Sequence, residues 1–158
     1  MGEFTRSDRQ SVPPIYRQLL AHNAHMTVTV EKRHGCEVNV EVLASELSET
    51  HYIRKILLRR QTDNRVVQFG IVRLALNTIE VAPREEILAR QIPLGRVLIK
   101  HNVLRHVQLL VVWRVACGPD LANYFEVGLG TETYGRTALI YCNGEPAVEL
   151  LEIVAPEV

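Results

Sequence analysis

The stretch His51–Arg60, HYIRKILLRR, has the apolar density of a buried strand, yet Arg54 and Lys55 interrupt its aliphatic residues. In a strand alternate side chains face opposite ways, so Arg54, Ile56 and Leu58 share one face and Ile53, Lys55 and Leu57 share the other. A guanidinium thus joins an apolar face. Burying an unpaired charge costs several kcal/mol or more, so Arg54 must reach solvent or meet an anion in a partly closed site.

The flanking sequence places this strand in an antiparallel sheet. Upstream, CEVNVEVL (36–43) alternates cleanly; downstream, a Thr-Asp-Asn turn at 62–64 leads into NRVVQFGIVRLAL, so the segment reads as a strand followed by a hairpin. Farther on, residues 106–116 are strongly apolar and read as a strand, and residues 119–127 read as a helical turn. YGRTALIYC and EPAVELLEIV form a hairpin around Asn143-Gly144, a pair in which both residues tolerate positive φ. Helices are expected after Pro13-Pro14, where Ile15, Leu19, Leu20 and Met26 recur at near-helical spacing. Two more are expected in APREEILARQ (82–91) and directly after Pro93 in IPLGRVLIKHN. The run MTVTVEKRHG is ambiguous: Thr27–Val30 favours a strand, whereas Glu31, Lys32 and the Gly35 stop favour a helix. The sum is one α+β domain on an antiparallel sheet, expected over 14–158. The polar residues 1–13 are expected to be disordered, and their opening MGEF is of a kind left by expression vectors.

Bulk properties narrow the function. The chain has 158 residues, 47% hydrophobic and 23% charged, with 18 basic side chains against 18 acidic ones, enough for one core and without the basic excess of a nucleic-acid binder. Cys36, Cys117 and Cys142 are scattered and fit neither a disulfide framework nor a zinc site, which suits a reducing cytoplasm. The longest apolar run, Leu109–Trp113, is far too short to span a bilayer, and the first residues lack a signal-peptide core. No metal is expected: His22, His25 and His34 have no carboxylate at ligand spacing and are expected to be exposed. No nucleophile-elbow, P-loop or dinucleotide fingerprint is present.

Two further ionisable residues break the apolar pattern. Glu152 in ELLEIVAP shares its strand face with Leu150 and Val154, and is either an edge acid reaching water or a desolvated acid with a raised pKa. Glu149 lies on the opposite face and reads as solvated. Arg73 in FGIVRLAL poses the question of Arg54 again: two arginines facing one cavity would suit a dianion, and salt bridges to Glu149 or Glu152 are the alternative. The start of the IPLGR helix offers free N–H groups near Leu94 to a negative charge.

The order of these motifs, from LLAHNAHMT through YIRKILLRR, IPLGR and YGRTALIYCNGEP to LEIVAP, resembles the chorismate pyruvate-lyase family over roughly residues 14–156. The resemblance implies the chorismate lyase-like fold, a single α+β domain with a six-stranded antiparallel sheet and helices packed on it. It also implies a cofactor-free lyase converting chorismate to 4-hydroxybenzoate and pyruvate. In that reading Arg54 and the backbone N–H groups of Met26 and Leu94 bind the ring carboxylate. Glu152 is the essential acid at the ring hydroxyl, with Glu149 as a competitor, and Arg73 meets the enolpyruvyl carboxylate. Catalysis rests on Arg54 and Glu152. The family has a small residue where His25 stands, and residues 107–130 form a longer segment expected to alter the lid. The rival reading is the effector-binding domain of GntR-type transcription regulators, which looks similar around the central hairpin and binds small molecules without catalysis. Such domains follow a DNA-binding domain of about 70 residues, a size typical of a small domain, and the short stretch before Met26 favours the enzyme.

Overall fold

A computed structural model describes residues 1–157 of the chain. Its centre is the antiparallel ladder expected from the alternating segments: β2 (Val38–Leu47), β3 (His51–Arg60) and β4 (Val66–Ala75) pair in succession. The C-terminal hairpin of β6 (Glu132–Cys142) and β7 (Glu145–Val154) turns at Asn143 and Gly144, with φ of 55° and 82°. It docks through β7 on β4, and the long β5 (Arg105–Cys117) pairs with β6. A further strand, β1 (Gly2–Ser7), lies antiparallel to β5, giving the order β1-β5-β6-β7-β4-β3-β2.

The sheet therefore has seven strands and not six. The extra one arises in the polar opening segment. Its ladder runs from Gly2 opposite Cys117 to Ser7 opposite Val112, so backbone pairing along the open edge of β5 fixes it where hydrophobic patterning is weak.

Register decides which side chains share a face. Arg54 lies opposite Val72, Ile56 opposite Gly70, Gly70 opposite Glu152, and Glu152 opposite Arg136. This face carries four helices: α1 (Pro14–Leu20), α2 (Met26–His34), α3 (Val81–Leu88) and α4 (Leu94–Lys100). Tyr16, Leu20, Met26 and Val30 pack with Ile56, Leu58 and Tyr134 over one half of it. Ile87, Leu94, Val97 and Leu98 pack with Tyr52, Val72 and Val148 over the other half. The opposite face is partly covered by α5 (Pro119–Phe125), whose Leu121 and Phe125 meet Leu57, Phe69 and Ile153. The longer 107–130 segment is thus a strand and an outer-face helix, not a lid.

The ambiguous residues 27–34 are helical. Gly35, at φ 67°, caps α2, and Lys32 and Arg33 occupy its last turn, where cations suit the carbonyl end. The expected single helix from Ile15 to Met26 is broken at residues 21–25, so Met26 begins a second helix.

Between β6 and β7 the strands approach closely at Gly135, where a Cβ would fall 2.8 Å from the Glu152 carbonyl oxygen and 2.9 Å from Ile153 Cγ1. Backbone cannot yield as a side-chain tip does. Gly135→Ala is expected to destabilise the fold by about 1–3 kcal/mol in chemical denaturation, whereas an unchanged midpoint would mean β6 and β7 can separate freely.

Candidate functional site

The four-helix face is divided between its two apolar clusters by a row of polar side chains. Arg54 projects from the middle of β3 and is only 1% exposed. Its one hydrogen bond is a long one, Nη1 donating to the Ile87 carbonyl at 3.4 Å, and its Nε has no partner. Among the described residues no carboxylate pairs with it. Burial lowers its pKa, and the neighbouring Tyr52 partly opposes that shift.

Glu152 projects from β7 on the same face, 5% exposed, and faces Arg136 of β6, which is fully buried. Arg136 Nε lies 3.5 Å from Glu152 Oε2. The other nitrogens of Arg136 donate to the His22 and Ala24 carbonyls at 2.9 Å each, which fastens the α1–α2 loop to the sheet. Burial raises the Glu152 pKa, with Arg136 acting against it. The buried face thus holds two guanidiniums and one carboxylate, leaving one positive charge uncompensated.

Arg54 and Glu152 line a common cavity of about 40 Å³, floored by Gly70 and closed by Met26 and Leu94. Gly70 keeps space beside Ile56, whose Cγ1 would lie 3.3 Å from a Cβ there. Met26 and Leu94 are the first residues of α2 and α4, positions whose N–H groups have no partner inside the helix. The two helix starts meet closely because Gly95 has no side chain: a Cβ would fall 3.2 Å from Thr27 Oγ1 and 3.3 Å from His25 Cβ. Gln68, 3% exposed, adds a buried amide whose oxygen has no partner.

His25, the N-cap residue of α2, also lines the cavity and is 9% exposed, which corrects the expectation of a solvent-exposed ring. Its Nε2 accepts a hydrogen bond from Arg105 Nε at 2.8 Å. Burial, with the charges of Arg105 and Arg136, lowers its pKa to about 4, so the ring is neutral at neutral pH.

Arg54, Glu152, Met26 and Leu94 are therefore brought together, and Arg73 is not. Because Val72 is the residue opposite Arg54, Arg73 emerges on the other face, where its Nη1 meets Glu149 Oε2 at 3.2 Å with both side chains largely in water. That correction also removes Glu149 from the site. Arg136 was missed, although it sits between Tyr134 and Ala138 on an apolar strand face, the same signal that singles out Arg54. Among the described residues no three His, Cys, Asp or Glu side chains cluster as a metal site, and no helix is long and apolar enough to cross a membrane.

No family model and no curated protein matches the sequence. Among solved structures, gene product SA0254 of Staphylococcus aureus superposes with a TM-score of 0.59 at 9% identity over 85% of this chain and 90% of its own. The ligand-binding domain of a protein assigned to the GntR family of transcriptional regulators, from Bordetella bronchiseptica, gives 0.52 at 14% identity over 73% of this chain and 83% of its own. YydK of Bacillus subtilis, described as a possible transcriptional regulator, gives 0.53 at 9% identity over 74% of this chain. The chain spans only 58% of YydK's length. What is shared is the fold, that of GntR-type effector-binding domains.

These likenesses overturn the expectation of a chorismate pyruvate-lyase, since regulator domains and not lyases carry this architecture among them. The site is consistent with the correction. Glu152 is already held by Arg136, the second substrate arginine is on the other face, and the cavity is a fraction of the roughly 150 Å³ of a dry protein cavity that admits benzene. The catalytic roles expected for Arg54 and Glu152 are withdrawn.

The Arg136–Glu152 pair makes a sharp prediction. Arg136→Met leaves a buried carboxylate alone and releases two loop carbonyls, and should cost about 3–5 kcal/mol in denaturant unfolding. Arg136→Met combined with Glu152→Leu should recover much of that loss. Additive single effects would show that the pair is not coupled.

Proposed function

We propose that this chain is a non-catalytic small-molecule-binding domain whose cavity takes the compact anionic head of an effector. One observation carries the reading: the Arg54 guanidinium, 1% exposed, lines the cavity, and among the described residues no carboxylate is paired with it. A buried cation left in that state is costly, and an anion that forms two parallel hydrogen bonds to the guanidinium fork removes the cost. In this reading the carboxylate of the effector sits against Arg54 and takes further hydrogen bonds from the N–H groups of Met26 and Leu94.

Glu152 then has a discriminating role. Its carboxyl accepts hydrogen bonds and repels a second negative charge, so a hydroxyl or amine on the effector is welcome near it and a second acid is not. The solved structure of a GntR-family ligand-binding domain with the same fold supports the class of function. A ligand gripped by the starts of both α2 and α4 couples its binding to the placement of those two helices.

The test is a thermal-shift titration with propanoate and pyruvate. At ten times its Kd, either acid should stabilise the protein by about 1.4 kcal/mol and raise Tm by roughly 3–5 °C. Arg54→Met should abolish that response, while the unliganded variant is as stable as wild type or more so, because the lone buried charge is gone. An equal shift in Arg54→Met, or pyruvate released from chorismate by the wild-type protein, would contradict the proposal.

A further inference from the structure

Building on the binding function just proposed, we infer that the effector is an elongated carboxylate whose apolar chain passes the His25 side chain and lies in the groove between α2, the end of α4 and the start of β5. The cavity around Arg54, at about 40 Å³, has room for a head group and little else. A small acid without a tail would gain almost no apolar burial and would bind weakly. The tail needs somewhere to go.

His25 is the one residue that lines both that cavity and a neighbouring groove of about 620 Å³. Of the eight large apolar side chains that the described chain leaves exposed, Val28, Ile99 and Leu104 all line this groove, with Leu104 at 73% exposure. Isolated exposed aliphatics need no explanation, whereas three converging on one concave surface next to a binding cavity mark a contact surface. Asn23, Asn102 and Arg105 edge the groove with polar groups.

His25 is suited to act as a movable wall. Its Cβ is fixed against the Gly95 backbone, but the ring is held by a single hydrogen bond, from Arg105, whose side chain is itself in the groove. Turning the ring toward solvent breaks that bond, which water can replace, and joins the two spaces. While it is buried the ring is neutral, so the closed wall puts no second cation beside Arg54.

Straight-chain carboxylates test this on the full chain: propanoate, pentanoate, heptanoate and nonanoate, titrated calorimetrically below their aggregation limits. Affinity should rise roughly three- to fourfold per added methylene until the groove is filled. Leu104→Asp, at a position too exposed to threaten folding, should leave propanoate affinity unchanged and weaken nonanoate at least tenfold. Affinity that is flat along the series, or identical in Leu104→Asp, would overturn the tail assignment while leaving the head-group reading intact. Binding of every acid that persists in Arg54→Met would overturn the head-group reading instead. Loss of a dimer in Leu104→Asp by sedimentation, with no dependence on chain length, would assign the groove to a second copy of the chain and overturn the inference.

Discussion

The charge of Arg54 sets the terms for the whole four-helix face. A guanidinium at the centre of a sheet is tolerable only if something keeps it solvated or paired, and here the Arg136–Glu152 pair occupies the neighbouring row without reaching it. Had Glu152 bridged both arginines symmetrically, the single excess charge would be shared between them and Arg54 would have a carboxylate partner. Instead Arg136 also donates to two loop carbonyls, so its geometry is fixed by the His22 and Ala24 backbone and Glu152 is drawn to its side. The residual positive charge is concentrated where the starts of α2 and α4 converge, and both the helix dipoles and the unpaired amides add to it. Structure and electrostatics therefore favour the same occupant of the cavity, the anionic head of a ligand.

Gaps in packing have the same origin. Gly70 in the sheet and Gly95 in α4 are small where their neighbours are bulky, one keeping the cavity floor open and the other allowing two helix starts to touch. The two apolar clusters on either side supply rigidity, so the polar row can hold strained electrostatics without collapsing. A catalytic reading needs an acid free to exchange protons and space for the reacting ring. A binding reading needs a fixed charge pattern and a shape, and these are what the residues supply.

Much of this was legible in the sequence, and what was hidden has physical reasons. Strand alternation exposed Arg54 and Glu152, and Asn143-Gly144 marked its hairpin, because a two-residue period and positive φ are local properties. Arg73 was misplaced because alternation within a strand says nothing about register between strands; only the pairing of Arg54 with Val72 puts Arg73 outside. Met26 was read as the end of a helix when it begins one, since the break at residues 21–25 is imposed by Arg136 reaching the loop from a strand more than a hundred residues away. The first strand was invisible because an edge strand held by backbone bonds needs little hydrophobic pattern. Arg136 itself was visible in principle, as a cation on the apolar face of β6.

The proposed binding function requires that the Arg54 guanidinium receive an anion. Nuclear magnetic resonance of the arginine Nε–H groups in nitrogen-15-labelled protein, with the Arg54 signal assigned from its loss in Arg54→Met, reads that contact directly. Addition of pentanoate should shift the Arg54 Nε–H signal downfield, slow its exchange with water and leave the Arg73 signal in place. A stationary Arg54 signal at saturating acid, or a shift confined to surface arginines, would show that the buried charge is not the ligand's anchor.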